Sequence, residues 1–252
     1  MTRFVRVVDL ETTGSRPPAH RVVEIGWQDV VEGADGRWSV AAPNARDGHA
    51  LVNPQRDIPA VTQAIHHIAD EDVVGAPLWA DIAPPILRPD PRPLALAAHR
   101  ASFEQRFCAP ELTGGAQWIC TWKCALRLWP DSPSFSNQVL RYWRKPAGLD
   151  RERGLPVHRA FPDAYVTAHH LRDQLNAAGL EGLIAWSREP GLLPRVPYGP
   201  HKGTDYGELD NDTLAAMIGD RNEDVRFTAE RTLAARRSEE PTPPTRVQGT
   251  LL

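Results

Sequence analysis

The sequence predicts an α/β fold in which a mixed sheet is flanked by helices, with a small C-terminal appendage. Three observations carry that expectation. The first half is rich in strand-like runs, Phe4 to Asp9 and Val22 to Val31, each bounded by turn residues. The middle then alternates short apolar runs with helical periodicity, the pattern of a sheet with helices packed on it. Residues 162–178 place small or apolar side chains at Ala164, Thr167, Ala168, Leu171, Leu175 and Ala178, close to the i, i+3, i+4, i+7 template.

In chain order, the strand FVRVVD ends in a Thr12-Thr13-Gly14 turn, which places Asp9 and Glu11 at a strand end. The strand over 22–31 leads through Gly33, Asp35 and Gly36 into Trp38–Val40, a hairpin arrangement. Residues 42–48 read as a loop before a short strand over 49–52, and 62–68 has helical character. Five prolines between Pro84 and Pro93 predict a loop there, because proline lacks the amide proton a helix interior needs. Leu94 to Ala98 reads as a central strand and 101–107 as a helix. Further strand or helix candidates lie at 118–128 and 137–143. Composition shifts after Gly179, so the expected organisation is a main domain over 1–185, a small module over 186–237 and a disordered tail over 238–252.

A chain of 252 residues with 41% hydrophobic content can bury a full core without covalent staples. Three cysteines, Cys108, Cys120 and Cys124, make no disulfide framework, and an odd count points to a reducing compartment; the expectation is cytoplasmic. Cys120 and Cys124 lack two further ligands at zinc spacing and read as small core residues. The N-terminus lacks the charged-then-apolar pattern of a signal peptide, and no apolar run approaches the ~20 residues of a membrane span. A net charge of -3 and a pI near 6.3 require any nucleic-acid contact to rest on local positive potential.

Asp9 and Glu11 stand two apart, which on a strand puts both on one face, where they repel unless a cation lies between them. Alone, such a pair is usually a solvated edge. Two other segments supply partners. AHRASFEQRF, residues 98–107, places Glu104 just beyond a strand end, in the crevice where open α/β sheets build their sites. HRAFPDA, residues 158–164, has Pro162, tolerated only in a first helical turn, so Asp163 opens a helix and His158 precedes it. Four carboxylates are the hard oxygen ligands that magnesium or manganese prefers, and a pair of such ions serves phosphodiester hydrolysis. A histidine is a fitting base for the attacking water.

DLETTG, AHRASFE and HRAFPDA, in that order, resemble the three motifs of the DEDDh exonuclease superfamily. The sister DEDDy group has a tyrosine four before the last aspartate, where this chain has Arg159. VVEIG at 22–26, AIHHI at 64–68 and SNQVL at 136–140 are similar to superfamily blocks, and WICTWKCALRLWP at 118–130 resembles the bacterial exodeoxyribonuclease X branch. The resemblance covers residues 1 to about 180. It implies a ribonuclease H-like fold and a 3'-to-5' exonuclease that releases nucleoside monophosphates from single-stranded or frayed DNA ends with two Mg2+ or Mn2+ ions. By the same resemblance Asp9 bridges both ions, Glu11 and Asp163 complete the first site, Glu104 holds the second and His158 activates the nucleophile. Thr12 and Thr13 would lie near the terminal nucleotide, and Leu10 or Ile65 would stack on terminal bases.

Two positions depart from the H-N-A-x-F-D form of the second motif: Arg100 stands for asparagine and Glu104 for aspartate. The longer Glu104 leaves rate and metal choice open. Arg100 reads either as a lost hydrogen bond or as a gained phosphate contact. His66 reads as a substrate contact or as a packing residue, like His67; His99, His169 and His170 read as structural. RYWRKPAGLDRER, residues 141–153, interleaves basic residues with Tyr142 and Trp143 and reads either as a substrate-holding loop or as a solvated face. VPYGPHKG, residues 196–203, is similar to a short module appended to such exonucleases. The alternatives are an RNA 3'-end exoribonuclease and a non-catalytic nucleic-acid-binding module. The expected partners are single-stranded DNA or RNA 3' ends, with no membrane, and monomer and homodimer are both compatible.

Overall fold

The computed structural model describes residues 2–239. The chain divides into two compact units, one spanning Met1–Glu189 and one beginning at Pro190. The expected boundary at 185 therefore falls inside the last helix of the first unit. The last helix of the second unit includes Ser238 and Glu239, and the rest of the expected tail, 240–252, lies outside the described residues.

Six strands build the sheet of the first unit: β1 Phe4–Thr12, β2 Val22–Glu32, β3 Trp38–Val40, β4 Asp47–Leu51, β5 Leu96–Ala98 and β6 Trp118–Cys120. Their order is β3-β2-β1-β5-β6, with β4 also paired to β2. The β1–β2 pair is antiparallel, with Asp9 opposite Gly26 and Glu11 opposite Glu24, whereas β5 runs parallel to β1 and β6 parallel to β5. The sheet is mixed, as expected. Between β4 and β5 lie α1 Ala60–His66, α2 Asp70–Val73 and α3 Trp79–Leu87, between β5 and β6 lie α4 Glu104–Phe107 and α5 Pro110–Thr113, and after β6 come α6 Thr121–Leu128, α7 Asn137–Arg144 and α8 Ala160–Arg188.

Strand alternation sorts β1 into two faces. Val5 and Val7 pack with Ala164, Ala168, Leu171 and Leu175 of α8, and Val8 and Leu10 pack with Ala83, Ile86 and Leu87 of α3. Asp9 and Glu11 continue the row that faces α8. Gly26 lets that helix come close: a Cβ there would lie 2.2 Å from the backbone of Ala160 and Phe161. The start of α8 is thus pressed against the strand partner of Asp9.

The proline-rich loop expected from Pro84 onward begins later than the sequence suggests. Pro84 and Pro85 lie inside α3. The missing amide bonds are outweighed by burial of Ala83, Ile86 and Leu87, a case of tertiary packing overriding propensity. The expected helix over 101–107 is reduced to α4. The helix read from 162 to 178 begins at Ala160 and continues to Arg188 across a break at Gly179, whose φ of 70° is left-handed. Beyond the break, Ser187 Oγ accepts a 2.8 Å hydrogen bond from Cys120 N, and Lys123 Nζ donates to Ser187 O at 3.1 Å.

The second unit packs Val196, Tyr206, Leu209, Leu214, Ala229 and Leu233 around α9 Asn211–Met217 and α10 Glu223–Glu239. Two helices form because Asp220 accepts from Asn222 N and Asn222 from Asp224 N, local bonds that end one helix and open the next. Tyr198 Oη donates to Asp220 Oδ1 at 2.5 Å, which gives that tyrosine an internal partner, and Lys202 is exposed.

Candidate active site

Asp9 and Glu11 from β1 and Asp163 from the first turns of α8 offer carboxylate oxygens that all lie within 4.8 Å of one another. Asp163 is held from three sides. Gln138 Nε2 donates to its Oδ1 at 2.7 Å, the backbone amide of His158 donates to its Oδ2 at 2.7 Å, and Asn137 Nδ2 donates to its backbone carbonyl at 3.1 Å. His158 is exposed and left-handed, with a φ of 60°, so its amide turns toward the carboxylate. Glu104, 3% exposed at the start of α4, stands outside the three-residue cluster, and its Oε2 is buried with no hydrogen-bond partner in the structure.

The electrostatics are those of anions crowded without a counter-ion. Burial, then the charges of Asp163, Glu11, Glu104 and Glu24, raises the Asp9 carboxyl well above its usual range. Glu11 is pushed up to about 8 by burial, with Asp163 and Glu24 adding to it. Burial also raises Asp163, against the hydrogen bonds from Gln138, His158 and Asn137, and carries Glu104 to about 8. A buried carboxylate oxygen without a donor is a site that a cation would satisfy. Mutual repulsion within the three-residue cluster has the same remedy, so the donor set fits hard divalent cations.

Glu24 is a part of the site that motif reading passes over. It is 1% exposed and accepts from Arg159 Nε at 2.9 Å, Arg159 Nη2 at 2.8 Å and Ala160 N at 3.1 Å, with His49 Nδ1 3.1 Å away. Burial alone would raise its pKa, but the bonds from Arg159 and Ala160 and the nearby positive charges bring it below the ordinary value. Asn137 and Gln138, which hold Asp163, likewise lie outside the three motifs. The only signals for these residues were the VVEIG and SNQVL blocks.

The substrate-contact candidates divide. Thr12 and Thr13 are buried where β1 ends, Thr13 Oγ1 accepting from Arg21 N at 3.0 Å. Leu10 is 5% exposed and packs in the core on the α3 side, so its side chain is not open to a base; Ile65, 46% exposed, is. His66 is buried, and its Nδ1 accepts from Ile68 N at 3.1 Å. His99 bridges Thr121 Oγ1 at 3.0 Å and Phe135 O at 2.8 Å, and burial lowers it to about 4. His169 and His170 are buried packing residues. Arg100, left-handed at φ 66° and exposed, stacks on the Trp122 ring at 4.2 Å.

The chain is similar to known proteins. A family model described as Exonuclease matches residues 7–88. Exodeoxyribonuclease 10 of Escherichia coli is 33% identical over 212 residues, 82% of this chain and 87% of that protein. The chain belongs to the DEDDh exonuclease superfamily. It is accordingly a 3'-5' exonuclease, a phosphodiester hydrolase. Among solved structures, exonuclease X in complex with 5' overhanging duplex DNA matches this exonuclease with a TM-score of 0.59 and 32% identity, covering 73% of this chain and 99% of that one. The nuclease domain of 3'hExo, a DEDDh family member bound to rAMP, matches at a TM-score of 0.54 and 12% identity over 70% of this chain and 93% of that one, which shows the ribonuclease H-like fold. DNA polymerase III subunit epsilon of Rickettsia conorii is 34% identical over 110 residues, 42% of the exonuclease and 43% of the relative. DEDDh exonucleases depend on divalent metal, and the acidic cluster is present here. No helix among the described residues is long and apolar enough to cross a membrane.

Proposed function

We propose that the chain shortens single-stranded or frayed DNA from the 3' end, releasing nucleoside monophosphates, with two Mg2+ or Mn2+ ions. One observation carries the reading: three carboxylates from β1 and α8 converge within 4.8 Å with their pKa values driven up and no cation of the protein set among them. Asp9, Glu11 and Asp163 would hold one ion, and Glu104, with Asp9 shared, the other. Such ions lower the pKa of an attacking water and neutralise charge on the phosphate.

The chain's own residues do the rest. Gln138 and the His158 amide fix the Asp163 carboxylate by donating to both of its oxygens. A ring nitrogen of the exposed His158 takes the proton from the attacking water. Of the substrate-contact candidates, Ile65 is the side chain open to solvent and would offer apolar surface to the terminal nucleotide, with Thr12 and Thr13 at the strand end. DNA is favoured because the relative matched over most of the chain is named an exodeoxyribonuclease. Three buried free thiols suit a reducing, cytoplasmic setting.

The test is a time course on matched 5'-labelled single-stranded DNA and RNA with Mg2+, Mn2+ or chelator, with Asp163→Ala as control. A ladder shortening from the 3' end of DNA, absent with chelator and in the variant, is expected. Faster RNA shortening would overturn the DNA assignment. Binding without shortening under every metal condition would leave a nucleic-acid-binding module instead.

A further inference from the structure

The basic and aromatic segment 141–153, which begins in the last turn of α7, resolves into two sets of side chains. Most of its charge is used internally. Arg141 is 4% exposed and donates to Gly154 O at 2.6 Å and Arg151 O at 2.8 Å. Arg144 stacks on Trp129 at 3.6 Å and pairs with Asp173 at 2.9 Å, and Arg153 pairs with Asp47 and lies over Tyr165. Tyr142 is different: it is 59% exposed, with the Arg141 guanidinium 5.3 Å from its ring centre.

Helix geometry places that ring. Four residues advance a helix by about 6 Å and return to nearly the same side, so Tyr142 stands one turn beyond Gln138 on the same face. Gln138 is the side chain that reaches Asp163. Trp143, one residue on and also exposed, is turned away from that face by a further ~100°. Its neighbour Arg141 fastens residues 151 and 154 to α7, and the chain runs on from there to His158. An open aromatic ring thus stands one helical turn from the side chain that holds Asp163.

We propose that Tyr142 is a stacking platform for a base of the single-stranded substrate, and so a determinant of strand binding by this exonuclease. The inference rests on the single-stranded DNA reading above. A ring stacks on any base, which suits an enzyme that must pass every sequence through one site. Arg141 fixes the residues around the platform and leaves the ring's outer face to the substrate.

The experiment compares the full-length wild type, Tyr142→Ala and Tyr142→Phe with Mg2+ on a single-stranded DNA oligonucleotide and on the p-nitrophenyl ester of thymidine 5'-monophosphate, which has no second base to stack. Tyr142→Ala should raise KM for the oligonucleotide about tenfold with kcat and ester hydrolysis unchanged, and Tyr142→Phe should restore KM. An unchanged oligonucleotide KM in Tyr142→Ala overturns the proposal. An equal loss on both substrates overturns it as well, because the residue would then be shaping the carboxylate site. A wild type that hydrolyses the ester and leaves the oligonucleotide intact would sink the underlying DNA reading, a result separate from any effect of the variants.

Discussion

Arg159 meets Glu24 with two nitrogens, Nε at 2.9 Å from Oε2 and Nη2 at 2.8 Å from Oε1, and so ties the residue before α8 to the strand that faces β1. Bidentate geometry of this kind adds direction as well as energy. Arg159→Ala leaves a buried carboxylate with fewer donors and should cost about 1–3 kcal/mol of stability, measured by urea unfolding at neutral pH. Because the folded-state pKa of Glu24 is depressed, its contribution is present above the unfolded value of 4.5 and lost as pH falls through the folded one. The difference between wild type and variant should therefore narrow on acidification; a constant difference would show that the pair is not titrating with the fold.

The acidic cluster titrates in the opposite sense. Glu11 and Glu104 have folded values near 8 against 4.5 unfolded, so the metal-free chain binds more protons folded than unfolded across that window. The stability they contribute is present below 4.5 and lost as pH rises through about 8. Divalent ions compete with those protons. The rise in melting temperature produced by saturating Mg2+ should be larger at pH 8 than at pH 6, and a pH-independent rise would contradict the assignment of these carboxylates as ligands.

Glu104→Gln separates charge from shape. With its Oε2 buried and unpartnered, loss of the charge should stabilise the metal-free protein at pH 8 by on the order of 1–3 kcal/mol while lowering nuclease activity. Thermal unfolding with chelator and a turnover assay with Mg2+ check both halves. A variant less stable without metal would mean that Glu104 has a donor in the fold.

His158→Ala should lower kcat by about 10²–10⁴-fold, the range for loss of a positioned general base, and leave binding of single-stranded DNA intact. Its amide, not its ring, holds Asp163, and that bond survives the change. Single-turnover rates alongside equilibrium binding test this; a rate equal to the wild type removes His158 from proton transfer.

Gly26→Ala should be disruptive out of proportion to one methyl group. Its Cβ would fall 2.2 Å from the backbone of Ala160 and Phe161, so α8 must retreat, at a cost of about 1–3 kcal/mol, and Asp163 retreats with it. Weaker Mg2+ binding by calorimetry is expected beside the lower stability. Unaltered affinity would show that the helix start and the carboxylate move independently.

Much of this site could be read from the sequence because its chemistry is written locally. Asp9 and Glu11 share a strand face by period alone, and Pro162 places Asp163 in the opening turns of a helix with His158 just outside it. Glu24 was not legible as a site residue, since its role comes from Arg159, far along the chain, and an acidic residue in an apolar strand carries no mark of its partner. The same holds for Gly26, which only the docked α8 explains, and for Leu10, whose place in the core follows from which face of β1 meets α3. Pro84 and Pro85 misled because local propensity was set against a burial that only the fold supplies.

The helix beyond the break at Gly179 bears on the edge of the sheet. β6 is the outer strand of its side of the sheet, and its outward amide at Cys120 is engaged by Ser187 from beyond the break. A protein cut at Gly179 would keep Asp9, Glu11, Glu104 and Asp163 and bare that edge, offering an open template to a strand of a neighbouring chain. The last turns of α8 thus cover a sheet edge as well as continuing the helix.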